Sequence, residues 1–494
     1  MKKLLFLDYR ELEYADGFAR AVESPVKEAG APLLRPELPW EHGNMQMFGS
    51  VLQGADGRFR AWYEVVEAPW RVRLAYAESE DGLRWQKPDL DVFRDGGRAT
   101  NIVFDGEPLG SAVIEDRQDP RPEYRFKLLT GAAPSGCVSA FHSADGMHWE
   151  SARMFGGRVQ PVIATAPDCP IGFLRAPDGR FAAYHRMAGY GRRVFRSESW
   201  DFAHWSGEPQ MVLEPDAGDP PQTQFYGLGA CAYGPYELGT LWIYATERED
   251  RGPGKAHGLQ TPELAYARAG TAWHRAEPGT AFIPNGAPGV GPGRLPGRPS
   301  PQPSPTGRGS KSRHIVEGEW DCGNLQAASQ PVLLDDEIRY YYAGTNVRHS
   351  RHWELEPQEA GLGMARLKPD RFVALRAGEA PAELGTIAFL PPSADVFVNA
   401  RTSADGEVRV ELQDEEARPL AGFTAGDCRP INGDSTAHRV EWRGVGQAAA
   451  PVGQPTRIRV TARGASVYSV FVTEPGESPV YHQFEALRPD SQAM

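Results

Sequence analysis

The chain lacks several features that would place it in a familiar class. Its 494 residues include five cysteines, scattered and without a Cys-x-x-Cys spacing, which favours reduced thiols in a cytoplasm over a disulfide or zinc framework. Lys and Arg (53) are outnumbered by Asp and Glu (65), and the net charge of −12 argues against a nucleic-acid partner, which needs a basic surface. No stretch approaches the length of a membrane span, so we expect no membrane partner. The apolar run at 4–7 is only about four residues long, shorter than the 7–15 of a secretory signal core, so we interpret it as a first strand.

Helix signals are almost absent as well. Short runs rich in β-branched and aromatic residues alternate with Asp-Gly, Pro and Asn turns. The aromatic content of 10%, with 12 tryptophans, suits stacked sheets or sugar-binding clefts. The sequence therefore predicts an all-β protein.

What the chain does contain is a repeated motif. Ser-x-Asp-Gly-x-x-Trp occupies residues 79–85 and 143–149, a degraded copy follows at 199–205, and a fainter one at 269–273. Self-similarity at a period of tens of residues, in a chain of short strands, predicts a β-propeller. The motif aspartates, Asp81 and Asp145, are expected to bond their own turn backbone. Trp85 and Trp149 are expected to pack between blades.

Alignment on this motif gives five units, and so predicts a five-bladed β-propeller at residues 40–377. Each unit begins with an inner strand, turns, and returns on an aromatic-rich strand. The returning strands are predicted at 59–64, 124–130, 181–186, 240–247 and 338–344. Residues 1–39 are predicted to form an N-terminal strand and a lead-in segment.

A Pro- and Gly-rich insertion interrupts the propeller at 287–313. This composition supplies too little apolar surface to offset the entropy of ordering, so we expect disorder; a Pro-rich ligand for a partner domain is the alternative. After residue 378 the sequence pattern changes to alternating apolar and polar residues, which predicts a C-terminal β-sandwich at 378–475. Its strands are predicted at 386–390, 395–401, 407–413, 438–442, 457–460 and 465–472, and residues 476–494 form a tail.

The propeller geometry predicts where chemistry would lie. Inner strands begin at one face of the disc, and the loops between second and third strands open on the same face. The turns between first and second strands lie on the opposite face of the disc. A site on the first face therefore excludes the acids in those turns, which are Asp56, Asp116, Asp119 and Asp178. Just before the inner strands of units one, three and five stand Glu41, Asp168 and Asp321, which we predict to be the catalytic residues. The candidate substrate-binding residues on the same face are Glu107, Arg186, Arg193, Tyr226, Glu247 and His349.

Carboxylates gathered on one face with Arg, His and Trp suit the hydrolysis of a glycosidic bond. One carboxylic acid protonates the leaving oxygen, and one carboxylate activates water or attacks carbon. A carbohydrate is therefore the expected partner. No metal-ligand spacing is present and no cofactor is predicted.

The blade pattern with Ser-x-Asp-Gly-x-x-Trp turns, followed by a sandwich, resembles the family 32 and family 43 superfamily of glycoside hydrolases. The resemblance covers residues 40–475 and is strongest to uncharacterised bacterial family 32-like proteins, which have a similar Pro-Trp-Glu near the first blade and a similar Trp-Asp before the last. It implies a five-bladed propeller with a C-terminal sandwich and a glycosidase activity. The invertase motif Trp-x-Asn-Asp-Pro-Asn-Gly is absent, with Pro-Trp-Glu-His-Gly-Asn at 39–44 in its place. The Arg-Asp-Pro motif and the Glu-Cys pair have no match either, so fructan specificity and a catalytic triad do not carry over.

Three alternatives remain open at this stage. A sialidase-like site would use three arginines, here Arg175, Arg186 and Arg193, with Tyr226, although five units rather than six speak against it. A phosphorylase would hold phosphate with Arg186, Arg193 and His349. A non-catalytic carbohydrate-binding propeller would use the carboxylates only as hydrogen-bond acceptors.

Overall fold

The computed structural model describes residues 1–29, 32–67, 71–132, 137–163, 167–187, 191–246, 258–268, 272–287, 318–349, 359–443 and 452–487. Within these residues the only helices are two 3-10 turns, Pro39–Glu41 and Pro122–Tyr124, and the prediction of an all-β protein is confirmed. The side chains of 132 and 167–170 lie outside the described part.

The N-terminal strands are β1 (Lys2–Leu5), β2 (Leu12–Asp16), β3 (Phe18–Val22) and β4 (Val26–Lys27). Sheet 1 contains β5 (Gln46–Gln53), β6 (Phe59–Glu67), β7 (Arg71–Ser79) and β10 (Ile102–Phe104), with a side hairpin of β8 (Leu90–Asp95) and β9 (Arg98–Thr100). Sheet 2 contains β11 (Pro108–Glu115), β12 (Phe126–Ala132), β13 (Cys137–Ser143) and β14 (Glu150–Ser151), followed by a hairpin of β15 (Met154–Phe155) and β16 (Arg158–Val159). Sheet 3 contains β17 (Pro167–Arg175), β18 (Phe181–Met187), β19 (Val194–Ser199) and β20 (Gln210–Leu213).

Sheet 4 contains β21 (Thr223–Tyr233), β22 (Tyr236–Thr246), β23 (Gly258–Arg268) and β24 (His274–Arg275). Sheet 5 contains β25 (Asn324–Ala327), β26 (Val332–Leu333), β27 (Ile338–Thr345) and β28 (Ala360–Leu367), and β4 pairs antiparallel with the outer strand β28. One parallel pairing, Gln260 with Asn324, links sheets 4 and 5. The N-terminal segment therefore supplies the last strand of the last of these sheets.

Apolar clusters fill the spaces between consecutive sheets. One joins sheets 1 and 2 around Trp62 and Phe126, the next joins sheets 2 and 3 around Phe173, and a third joins sheets 3 and 4 around Tyr184 and Leu228. The largest cluster includes the faces of sheets 4 and 5, and another joins sheet 5 back to sheet 1 around Tyr341. Each sheet thus buries both of its faces against the neighbouring sheets. This explains why the sequences of these strands are nearly continuous apolar runs.

The repeated motif forms the turns after β7, β13 and β19, as predicted. The carboxylate of Asp81 accepts hydrogen bonds of 2.8 Å from the backbone N–H groups of Leu83 and Arg84, and Asp145 and Asp201 do the same in their own turns. Trp85 packs edge-on against Tyr341 of sheet 5 at 5.8 Å. The prediction that the motif aspartates are structural is confirmed.

The C-terminal region contains β29 (Val373–Ala377), β30 (Ala382–Thr386), β31 (Val396–Gln413), β32 (Asp434–Arg439), β33 (Arg457–Val472) and β34 (Glu485–Ala486). The pairs of strands predicted at 395–401 and 407–413, and at 457–460 and 465–472, are each one long strand. In β31, a shift of register between Thr402 and Glu407 interrupts the alternation of residues without ending the pairing. The strand predicted at 386–390 begins and ends four residues earlier.

Pairing crosses the predicted domain limits at 39/40 and 377/378. Strands β1, β2 and β3 pair with β33, β30 and β29, so the N-terminus lies in the C-terminal sheet. Strand β29 also pairs with β33, although it precedes residue 378. A buried ion pair of 2.9 Å between Lys3 and Asp370 fixes this connection. Pairing between strands distant in the chain cannot be read from local alternation, which is why the limits differ.

The insertion predicted at 287–313 lies outside the described residues apart from 287. Its two flanks are joined, because the N–H of Glu319 donates to the carbonyl of Ala287 at 3.1 Å and the N–H of Ala287 donates to the Glu319 carboxylate at 3.0 Å. The described residues on the two sides of the insertion therefore lie within hydrogen-bond distance of each other.

Candidate functional site

The inner strands of sheets 1 to 5 are β5, β11, β17, β21 and β25, and we call the end at which they begin the starting end. The opposite end, where they finish, is the far end. Because neighbouring strands are antiparallel, the second strands β6, β12, β18, β22 and β27 finish at the starting end. Side chains from several sheets meet there.

The clearest meeting of side chains is a group that we call the Tyr226 cluster: Arg186, Arg192, Tyr226, Tyr244 and His349. The guanidinium of Arg186, on β18, lies 4.4 Å from the Tyr226 ring centre. That of Arg192 lies 5.2 Å from the same ring and 5.3 Å from Tyr244. The Tyr226 hydroxyl and His349 Nε2 are 2.9 Å apart. Sheets 3, 4 and 5 therefore contribute to one arrangement of cations and aromatic rings.

Two aromatic side chains, Trp242 and Phe48, position the ring of Tyr226. Its ring is stacked on Trp242, with centres 6.2 Å apart and planes at 14°, and Phe48 of sheet 1 lies 6.1 Å away. His349 is held by its backbone, whose N–H donates to the carbonyl of Gly258 at 3.0 Å. These contacts position the Tyr226 ring and the backbone of His349.

His185 lies beside the cluster and differs from it in chemistry. It is buried, its Nε2 is 2.9 Å from the Ser197 hydroxyl, and its Nδ1 is 3.2 Å from the Arg186 carbonyl. Burial lowers the pKa of His185 to about 4. The imidazole is therefore neutral at physiological pH and positions neighbouring backbone.

Asp168, a predicted catalytic residue, pairs through its backbone with Arg186 in the register of β17 and β18. Its Cα is therefore at the starting end beside the Tyr226 cluster, and its side chain lies outside the described part. Glu247, a predicted substrate-binding residue, is also outside the described residues. Glu107 is exposed just before β11, with a backbone φ of 52°.

Glu41, the second predicted catalytic residue, is fully enclosed. Its Oε1 accepts from the Tyr63 hydroxyl at 2.8 Å, and its Oε2 accepts from the backbone N–H of Leu38 at 2.8 Å and from the Lys87 ammonium at 2.7 Å. Burial, and next the charge of Glu41, raise the pKa of Tyr63 well above its usual value. These contacts tie the lead-in segment to sheet 1.

Asp321, the third predicted catalytic residue, lies against the face of sheet 5. Its Oδ2 accepts from the Lys27 ammonium at 2.6 Å and from the Tyr342 hydroxyl at 3.0 Å. Its backbone carbonyl accepts from the N–H of Gly286 at 3.2 Å, so the residue also holds one flank of the insertion. Among the described residues, no hydrogen bond or ion pair joins Glu41 to Asp321. The predicted convergence of the three carboxylates stays a prediction.

Arg193 and Arg175 make ion pairs with acids outside the Tyr226 cluster. The Arg193 guanidinium binds Glu214 at 2.8 Å on the surface. Arg175 stands at the far end of β17 and binds Asp116 at 2.6 Å. The three arginines required by a sialidase-like site are therefore not assembled, because Arg175 and Arg186 occupy opposite ends of neighbouring strands.

Sequence reasoning missed Glu64, a fully buried carboxyl on β6. Its Oε1 accepts from the Ser111 hydroxyl of sheet 2 at 2.9 Å, while its Oε2 has no hydrogen-bond partner among the described residues. Burial raises the pKa of Glu64 well above its usual value, against the opposing effect of hydrogen bonds from Ser111 and the backbone of Gly110. The sequence does contain a signal for this buried carboxyl: it is the single acid inside the apolar run Trp-Tyr-Glu-Val-Val at 62–66.

The described residues contain no group of three or more His, Cys, Asp or Glu side chains arranged to hold a metal ion. Nor does any helix in the described part of the chain have the length and apolar character needed to cross a membrane.

Comparisons with known proteins give only weak likenesses. No family model matches the chain, and no curated protein matches it. Similar solved structures include an alpha-L-arabinofuranosidase from Podospora anserina in complex with cellotriose (12% identity, TM-score 0.42, covering 70% of this chain and 98% of that one). A GH62 hydrolase in complex with xylotriose shows 13% identity and a TM-score of 0.41, with 70% and 98% covered. A thermostable family-43 glycoside hydrolase shows 12% identity and a TM-score of 0.37, with 66% and 90% covered. Likenesses this weak establish neither a family nor an activity for this chain.

Proposed function

We propose that the chain is a glycoside hydrolase whose substrate binds at the starting end of a five-bladed propeller. Sheets 1 to 5 are the blades, strand β4 closes the fifth, and the C-terminal strands form a sandwich. The apolar clusters between consecutive sheets, including the one from sheet 5 to sheet 1, support a closed ring. A carbohydrate partner and a cytoplasmic location belong to the same proposal.

The observation that carries the proposal is the Tyr226 cluster. Arg186, Tyr226 and His349 stand far apart in the sequence, and the fold brings them into contact at the end where loops of a propeller converge. The rings of Tyr226 and Tyr244 are buried, so a sugar would be bound by the guanidinium N–H groups, which donate to hydroxyls. A preformed group of this kind suits a sugar subsite.

For the chemistry we assign Asp168 and Glu107 as the acid–base pair. Asp168 is beside Arg186 by strand register. Glu107 is an exposed carboxylate at the start of the neighbouring inner strand, in a strained backbone conformation that non-glycine residues adopt rarely and often at functional sites. Glu41 and Asp321, the other predicted catalytic residues, make ion pairs with Lys87 and Lys27, and we assign them to positioning. One carboxyl of the pair would protonate the leaving oxygen and the other would activate water or attack carbon.

The test is a screen of nitrophenyl glycosides and oligosaccharides, followed by amide variants on any substrate found. D168N and E107Q should each lower turnover by roughly 10²–10⁴-fold, because the amide keeps shape and removes proton transfer. E80Q, at an exposed motif turn, is the matched control and should keep full activity. If D168N and E107Q are both fully active, the assignment is wrong, and E41Q and D321N then test the original prediction.

A phosphorylase is the second candidate, favoured by two guanidinium groups and an imidazole around Tyr226. Phosphate would then replace water as the attacking group. Running the same screen with and without phosphate separates the two activities. Sugar binding without turnover in either condition would leave a binding protein.

A further inference from the structure

The far end of the inner strands carries a cavity of about 660 Å³. All five sheets line it, through residues 51–55, 114–118, 174–175, 231–232 and 330–333. In β21, Tyr226 and Cys231 are five residues apart, or roughly 16 Å at the usual strand rise. The cavity is therefore separate from the Tyr226 cluster.

The lining of the cavity is mixed. Val51, Ile114 and Leu174 are buried residues of the lining, whereas Gln118 is exposed and Gln330 is partly exposed, and we call these two glutamines the rim. Burial raises the pKa of the lining thiol Cys231 to about 12, so this wall offers no thiolate at neutral pH.

The charged side chains of the lining are all engaged in ion pairs. Asp116 binds Arg175 at 2.6 Å and Lys127 at 2.9 Å. Glu115 binds Arg125 at 2.5 Å and Arg117 at 2.8 Å. The lining itself contains two carboxylates and two guanidinium groups, so its formal charge is zero, and a neutral ligand with many hydroxyls would find fixed donors and acceptors.

We propose that the far-end cavity binds a neutral saccharide, at a site independent of the proposed reaction at the starting end. The volume lies within the roughly 300–1,000 Å³ of small-molecule sites. The glutamines and the paired charges of the lining offer hydrogen-bond donors and acceptors to its hydroxyls. The ring of inner strands gives this site a rigid frame.

Titration calorimetry with glucose, xylose and cellobiose tests the proposal on the full chain. At least one sugar should bind, and hydrogen exchange should slow in peptides covering 51–57 and 330–333 when it is added. Q330W, which fills the rim, should weaken that binding at least tenfold and leave any turnover unchanged. Q210W, an exposed amide on β20 outside the cavity, is the matched control and should bind as the wild type does.

If Q330W fails to fold by circular dichroism, Q118A replaces it, and loss of one hydrogen bond should weaken binding about 3- to 10-fold. The proposal is overturned if none of the three sugars binds. It is equally overturned if the rim variant binds as tightly as the wild type, or if sugar slows exchange only at the starting end.

Discussion

The indole Nε1 of Trp62 in sheet 1 donates a 2.7 Å hydrogen bond to the carbonyl of Gly146, the glycine of the second motif turn. The hydroxyl of Tyr341 in sheet 5 makes the equivalent bond of 2.9 Å to Gly82 in the first motif turn. An aromatic donor on the second strand of one sheet thus binds the motif turn of the next. The turn formed by the repeated sequence therefore connects neighbouring sheets through this hydrogen bond, and we call the contact the joint.

This joint predicts that Gly146→Ala is strongly destabilising. Gly146 has a φ of +79°, and an added Cβ would lie 2.7 Å from the Trp62 ring. Gly57, with a φ of +78° and open space around it, is the matched control. Gly57→Ala should cost about 1–2 kcal/mol for the backbone conformation alone, and Gly146→Ala about 1–3 kcal/mol more for the collision. Urea unfolding measures both, and equal costs would contradict the joint.

Removal of the insertion should leave the protein unchanged. The hydrogen bonds between Ala287 and Glu319 hold the flanks together, so a linker of about three residues spans the gap left by deleting 288–317. Melting temperature and activity should stay within error of the wild type. A longer deletion that also removes Gly286 and Glu319 breaks the flanking bonds and should lower the melting temperature. A loss of several degrees in the shorter deletion would show that the segment packs.

Glu64 should make stability fall as pH rises. Its folded pKa is raised by burial, so the stabilising effect of the neutral carboxyl is complete below its unfolded pKa and is lost as the pH rises towards and through the folded value. The difference in unfolding free energy between E64Q and the wild type should therefore grow in favour of E64Q above about pH 4.5. Urea titrations from pH 4 to pH 9 measure this slope. E80Q, an exposed acid, should show none, and parallel pH profiles for E64Q and the wild type would refute the assignment.

We expect substitutions of the adjacent lysines Lys2 and Lys3 in the N-terminal strand to differ sharply in their cost to the free energy of unfolding. Lys3 is buried in an ion pair with Asp370, which Tyr233 and Ser469 also bind, and removing one partner of such a pair costs about 3–5 kcal/mol. Lys2 pairs with the exposed Glu485, and its loss should cost about 0–1 kcal/mol. Chemical unfolding of K3A and K2A compares them directly. Similar costs would mean that Lys3 does not hold β1 to the C-terminal sheet.

The sequence by itself determined the features that depend on neighbours along the chain. The motif turns, the second strands and the all-β class follow from local hydrogen bonding and alternation, since an Asp-Gly turn contains most of the atoms that stabilise it. The same reasoning placed Arg186, Tyr226 and His349 at one end of their strands, because strand direction follows from turn order.

Only the tertiary structure decided what each charged side chain contacts. In the sequence, Glu41 and Asp321 cannot be distinguished from exposed acids that precede a strand. In the structure, Lys87 binds Glu41 and Lys27 binds Asp321. Likewise, β3 and β4 are adjacent in the chain but pair with strands of different sheets, β29 and β28. A partner that is distant in the chain leaves no trace in the local sequence pattern, because burial and charge pairing are set by packing.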